Sequence, residues 1–163
     1  MNRLPEYMAA NATVIGNTQF AEGTSVWFNT VIRADEDLIR VGEGTNIQDG
    51  CILHTDTGDP MEIGVCVSIG HGAILHGCTI EDGALIGMGS IILNQARIGR
   101  NAMVGAGALV TSGTVIPEGM LAMGSPARVV RPLRPEEIQA NLHNAEEYEK
   151  AASRELEKTS QKY

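Results

Sequence analysis

The sequence predicts an all-β solenoid, a parallel β-helix of hexapeptide repeats followed by a C-terminal α-helix. Three observations lead there. An isoleucine, valine or leucine recurs at a dominant spacing of six residues, in the runs Val41, Ile47, Leu53, then Ile63, Ile69, Leu75, then Ile80, Ile86, Ile92, Ile98, Val104, Val110 and Ile116. Glycine follows many of these (Gly42, Gly64, Gly70, Gly87, Gly99, Gly105), and a small or modest side chain comes four places after them, as at Cys51, Ala73, Ala84 and Ser90. The chain also holds 19 glycines but only one Trp, three Tyr and two Phe. A narrow triangular coil of three hexads per turn accounts for all of this: its corners need unusual dihedrals and its lumen has no room for rings.

Coils start at Phe20, Val41, Ile63, Ile80, Ile98 and Ile116, and residues 14–16 read as an incomplete first turn. Two coils are longer than the rest. Both insertions follow the third hexad, at about residues 35–40, with the acidic triplet Asp35, Glu36, Asp37, and at about residues 55–61. Extra residues at the same corner of neighbouring coils are expected to be loops that serve function. After Pro126 the repeat stops. Pro135 followed by Glu136 and Glu137 suits the first turn of a helix, and Ile138, Leu142, Ala145, Ala152 and Leu156 make one apolar stripe at helical spacing. That stripe packs either along the solenoid or against another subunit. The division expected is a β-helix domain over residues 1–131 and a helix over residues 132–163.

The formal net charge of −8 argues against nucleic acid or an anionic membrane surface as partner. No apolar run approaches the ~20 residues needed to span a bilayer, and the first residues lack a signal-peptide pattern, so a soluble cytoplasmic protein is expected. Three cysteines with no CxxC pair do not read as a disulfide framework. Cys51 fills an inward small-residue slot, whereas Cys66 and Cys78 fall at turns and are expected to face solvent or an interface.

The repeat turns sequence positions into spatial columns. In each hexad the aliphatic points inward and its successor outward. His54 follows Leu53 and His76 follows Leu75, at the third hexad of consecutive coils, so the two imidazoles should stack at the inter-strand spacing of roughly 4.7–4.9 Å. Arg33 occupies the same column one coil earlier. His71 lies two residues after Ile69, near a different corner, with Asp49 directly beneath it. From there it cannot easily reach the His54/His76 face of its own chain, but it could meet that face on a neighbouring copy around a threefold axis. The expectation is a homotrimer with interfacial sites, each built from His54 and His76 of one chain and His71 of the next. Any one of these histidines alone would read as a surface residue, as His143 does in the C-terminal helix.

At this point the motifs match a known set. Arg33-Ala34-Asp35, Asn46-Ile47-Gln48-Asp49-Gly50, His54, Gly70-His71, Leu75-His76-Gly77, Ile86-Gly87-Met88-Gly89 and Gly124-Ser125-Pro126-Ala127 resemble the γ-class carbonic anhydrase family over roughly residues 10–131. The resemblance implies a left-handed β-helix, a homotrimer, and metal ligation by His54, His71 and His76. It implies that Gln48 orients a metal-activated hydroxide, that Asn46 is a further polar contact, and that Arg33, Asp35 and Asp49 form an interface charge network. Glu36 matches the position of a proton-shuttle glutamate, although the acidic triplet also reads as a solvated turn.

Three imidazoles leave one tetrahedral position open, as in catalytic zinc sites, and zinc lowers the pKa of a bound water to about 7. The expected reaction is reversible hydration of carbon dioxide to bicarbonate, with zinc as the cofactor and iron or cobalt also compatible with imidazole ligands. Two other readings stay open at this level. One is a hexapeptide-repeat acyltransferase using coenzyme A or acyl carrier protein. The other is a weakly active, metal-bound trimeric scaffold or thioesterase-like relative.

Overall fold

A computed structural model describes residues 4–160 of the chain. The hexads form three stacked columns of short parallel strands. In the first column Val26, Ile47, Ile69, Ile86, Val104 and Ala122 pair in unbroken register. The second runs through Ile32, Leu53, Leu75, Ile92 and Val110, and the third through Val41, Ile63, Ile80, Ile98 and Ile116. Every one of these side chains is buried, so the repeat read from the sequence is the core. Chain glycines set how closely the rungs stack. A Cβ on Gly42 would sit 2.5 Å from the carbonyl carbon of Gly64 in the next rung.

Residues 35–40 depart from expectation. They form no loop; the strand Val31–Val41 runs straight through them. Its first part pairs with Ile52–His54 and its last part with Met61–Ile63, so one strand turns a corner and joins two columns into a single ten-stranded sheet. The reason lies upstream. Residues 14–16, expected as an incomplete turn, belong to the strand Thr13–Phe20, which pairs with Val31–Val41 across most of its length and satisfies its main chain. Ile39, fully buried, anchors the crossing.

The second insertion is a tight turn. The Asp59 N–H donates to the Asp56 carbonyl at 3.0 Å, and Gly58 takes φ of 86°. Asp37 reaches across from the neighbouring rung to accept from the Gly58 N–H at 2.9 Å, and Thr57 donates to Glu36 at 2.8 Å.

At the C-terminal end the strand Met120–Gly124 pairs antiparallel with Ala127–Pro132, folding the chain back toward the helix Pro135–Ser160. Of the two placements open to the helix, it takes the one along its own solenoid, against the strands Tyr7–Met8, Ser25–Val26, Asn46–Ile47 and Ser68–Ile69. Ala145 and Ala152 are buried there, whereas Leu156, counted in the stripe, is exposed. Tyr148 does more of the packing than the stripe anticipated, its ring lying edge-on to Trp27 at 5.4 Å, with Tyr7 on Trp27 at 5.0 Å.

Cysteine placement is partly as expected. Cys51 is buried, but Cys78 is buried too (1% exposed) rather than facing solvent. The residues just before it turn the corner through Gly77, at φ of 50°, and that turn rotates the thiol inward.

Candidate metal centre

His54 and His76 end the strands Ile52–His54 and Ile74–His76 and are direct register partners. With Leu53 and Leu75 locked inward beneath them, the imidazoles have no choice but to emerge on one outer face. His54 Nδ1 lies 2.9 Å from His76 Nε2, and the rings meet edge to face at 4.9 Å. Arg33 is in register with His54 and brings Nη2 to 2.9 Å from His54 Nε2. Asp35 Oδ1 lies 3.3 Å from the same nitrogen and 3.4 Å from Arg33 Nε. A backbone hydrogen bond first, and the guanidinium of Arg33 second, hold the Asp35 carboxyl below the usual carboxylate range.

On the far side of the pair, His76 Nδ1 meets Asn94 Oδ1 at 3.0 Å. Asn94 Nδ2 donates in turn to Asp56 Oδ2 at 3.0 Å and Asp59 Oδ2 at 3.1 Å. Asp56 Oδ1 stands 3.9 Å from His76 Nε2. Beside the histidines runs a column of outward aliphatics, Val31, Ile52, Ile74, Ile91 and Leu109, of which Ile52 and Ile74 are exposed.

His71 lies in the turn that follows the strand Ser68–Ile69 of the other sheet, next to the C-terminal helix. Its Nδ1 is 2.8 Å from Asp49 Oδ2, which bears out the vertical pairing of these two residues. Its Nε2 lies 3.2 Å from the Tyr148 hydroxyl. Burial first, and the negative charge of Asp49 second, push the Tyr148 phenol above its ordinary value. Gln48 and Asn46 sit with His71 rather than with the stacked pair. Both are buried: Gln48 donates to Asn46 Oδ1 at 3.0 Å and accepts from the His71 N–H at 3.2 Å. Asn46 and Asn144 both donate to Ser68 Oγ at 2.9 Å. A cavity of about 330 Å³ opens here, lined by Gln48, Ser68, His71, Met88, Asn144 and Tyr148.

One chain therefore carries two separate clusters. Arg33 and Asp35 accompany His54 and His76, while Glu36 accepts from Thr57 in the neighbouring turn; Asn46, Gln48 and Asp49 accompany His71. Sequence reading missed Asn94 and Tyr148. Asn94 follows Leu93, which lies one rung above His76, so a count carried one coil further would have placed it. Tyr148 lies three residues after Ala145 on the stripe already recognised.

The donor set suits a divalent ion. Two facing imidazole nitrogens 2.9 Å apart are close enough to share one ion, since two Zn–N bonds of ~2.0–2.1 Å reach farther than that. Among the described residues, His54, Asp56 and His76 are the group whose ligand atoms all lie within 4.8 Å of one another.

A family profile described as bacterial transferase hexapeptide (six repeats) matches residues 77–112. More of the chain is covered by a protein of Methanocaldococcus jannaschii described as "Probable carbonic anhydrase". The two are 50% identical over 143 residues, 88% of this chain and 90% of that one. Gamma carbonic anhydrase 2 of Arabidopsis thaliana, a mitochondrial protein, is 39% identical over 148 residues, which is 87% of this chain and 53% of its own. The chain belongs to the γ-class carbonic anhydrase family. Among solved structures, a hexapeptide transferase family protein from Anaplasma phagocytophilum superimposes with a TM-score of 0.79 at 38% identity, over 91% of each chain. Membership gives the stacked pair a context that the transferase profile, confined to the repeat, does not.

Proposed function

We propose that the protein is a carbonic anhydrase that interconverts carbon dioxide and bicarbonate at a metal site shared between subunits. The observation that carries this is the register pairing of His54 on His76, with ring nitrogens 2.9 Å apart on one outer face. His54 and His76 of one chain and the partner subunit's His71 would hold a divalent ion, zinc by preference. When bound, that ion would supply a water whose pKa is lowered to about 7, and so a hydroxide nucleophile at neutral pH.

Two features support a third ligand from a neighbouring copy. The aliphatic column beside His54 and His76 leaves Ile52 and Ile74 uncovered, which fits lateral contact between solenoids. His71 also has the partner that ligating histidines usually have, a carboxylate on the ring nitrogen away from the metal. With its Nδ1–H donated to Asp49, His71 keeps Nε2 as a lone-pair donor, and the Tyr148 hydroxyl now uses that lone pair.

The remaining residues divide the work. Gln48 and Asn46 fix the main chain of His71 and offer carboxamides to the pocket, where Gln48 would orient the attacking oxygen. Arg33, paired with Asp35, neutralises the charge beside His54, and with Asp49 would align the subunits. Glu36 is exposed at the rim and would pass the released proton to buffer.

Zinc-loaded protein should hydrate carbon dioxide in stopped-flow assays, and His76→Ala should lose that activity by several orders of magnitude. Equal rates in the two proteins would remove the metal from the chemistry. A second reading, acyl transfer, draws on the 2.8 Å His71–Asp49 pair beside the cavity, an arrangement that also suits a general base. Turnover of acetyl-coenzyme A by metal-free protein, abolished in His71→Ala, would favour it.

A further inference from the structure

Although Asp35 Oδ1 also lies 3.3 Å from His54 Nε2, the nearer contact of Arg33 and the contact of Asn94 set the direction of the hydrogen bonds through the stacked histidines. Arg33 has donors and no acceptor, so where its Nη2 meets His54 Nε2 at 2.9 Å, the imidazole nitrogen must accept. A neutral His54 then carries its proton on Nδ1, and that proton is donated to His76 Nε2 at 2.9 Å. His76 in turn must hold its own proton on Nδ1, which faces Asn94 Oδ1 at 3.0 Å.

The opposite end of the row gives the same answer independently. The Asn94 amide faces Asp56 Oδ2 at 3.0 Å and Asp59 Oδ2 at 3.1 Å. Ionised carboxylates only accept, so the end of the amide turned toward them is the NH2 group and the end toward His76 is the oxygen. Hydrogen bonds from Asn94, and then from Gln95, hold the Asp59 carboxyl below its usual range, which keeps it an acceptor.

We propose that Asn94 is a positioning residue for His76: clamped by Asp56 and Asp59, it holds the imidazole as the Nδ1–H tautomer and keeps Nε2 unprotonated, its lone pair held by His54 Nδ1–H until a metal displaces that proton. This rests on the reading of His54 and His76 as metal ligands. It also assigns a task to the turn after His54, which is to orient the amide that orients the histidine. Partners on the far nitrogen of a ligating histidine fix its tautomer and ring plane, and their loss usually weakens metal binding 10–100-fold.

The tautomer is read directly in metal-free protein labelled with ¹⁵N-histidine, from two-bond ¹H–¹⁵N correlations assigned by loss of signal in His76→Gln. The expected result is the Nδ1–H form at His76; the Nε2–H form overturns the proposal. Co²⁺ binding alone, followed by equilibrium dialysis on the full chain, supplies the second measurement. Asn94→Leu should weaken it about 10–100-fold, while Gln95→Leu, which loses only the bonds to Asp59, should stay within about twofold. Unchanged affinity in Asn94→Leu, or an equal loss in Gln95→Leu, overturns the role assigned to Asn94. Should Asn94→Leu fail to fold, the wild-type tautomer decides alone. Wild-type protein that binds no Co²⁺ would sink the metal reading, and the metal-free tautomer would still settle whether Asn94 sets the ring.

Discussion

Tyr148 places its hydroxyl 3.2 Å from Nε2 of His71, so the C-terminal helix closes over the one candidate ligand that does not lie in the stacked column. The same ring rests edge-on against Trp27. A single residue thus ties the helix to the solenoid and occupies the nitrogen that the proposed metal site would need.

Separating those two roles gives the first prediction. Tyr148→Phe keeps the ring packing and removes one hydrogen bond, so it should cost about 1 kcal/mol or less in urea unfolding. Tyr148→Ala also loses the contact with Trp27 and should cost roughly 2 kcal/mol, less than a fully buried aromatic because the side chain is only half-buried. If the two variants unfold at the same urea concentration, the ring does not anchor the helix. Tyr148→Phe should also free His71 Nε2 and leave Zn²⁺ affinity equal to or tighter than wild type.

The split of the site between two sheets predicts complementation. His71→Ala and His76→Ala homo-oligomers should each be inactive in carbon dioxide hydration. Mixed and allowed to exchange subunits, they should regain roughly a quarter of wild-type activity, the share of interfaces that unite both intact halves in random threefold rings. No recovery after verified exchange would point to a site within one chain, with Asp56 completing the group of His54 and His76.

Alkaline conditions should destabilise the fold through two buried thiols. Burial pushes Cys51 up to about 11 and Cys78 up to about 12 from an ordinary value of 9.0. Between pH 9 and 11 the unfolded chain has released protons that the native state still holds, so stability falls as pH rises through that window. Below about pH 8 both states keep them and the effect disappears. The loss at pH 10 is of order 1 kcal/mol for each thiol. Urea midpoints measured from pH 8 to 10.5 should drop less steeply in the Cys51→Ala, Cys78→Ala double variant, and an unchanged slope would count against these thiols as the cause.

Glycines of the repeat should divide sharply by what lies beyond the missing Cβ. On Gly87 it would sit 2.5 Å from the Ala106 amide nitrogen in the rung above, a backbone atom that cannot yield. Gly87→Ala should therefore cost more than about 4 kcal/mol or abolish soluble expression. Gly89, at φ of 66° with nothing within 4 Å of its absent Cβ, should accept asparagine at about 1 kcal/mol. Thermal unfolding of the two variants makes the comparison.

What could be read from the sequence was whatever the six-residue period controls. The inward aliphatics, the stacking of His54 on His76, the position of Arg33 one coil before them and Asp49 under His71 all follow from counting along hexads. What escaped was set by contacts between segments with no shared period. Residues 35–40 looked like a loop because their pairing partner, Thr13–Phe20, is too short and irregular to show the repeat. Tyr148 reaches His71 from 77 residues away, through a helix whose placement depends on which face leaves Trp27 accessible. Cys78 was read as outward because the hexad count breaks at Gly77, where the positive φ redirects the next side chain.

Leu53 on Leu75 fixes where the two imidazoles stand, whereas the turn between Thr55 and Pro60 lies outside that ladder and reaches His76 through Asp56, Asp59 and Asn94. Its length can therefore vary without moving the main chain of either histidine, but not without disturbing the amide that faces His76. An insertion or deletion at this one corner would leave the stacked pair standing while changing both the charge beside it and the orientation of one ring.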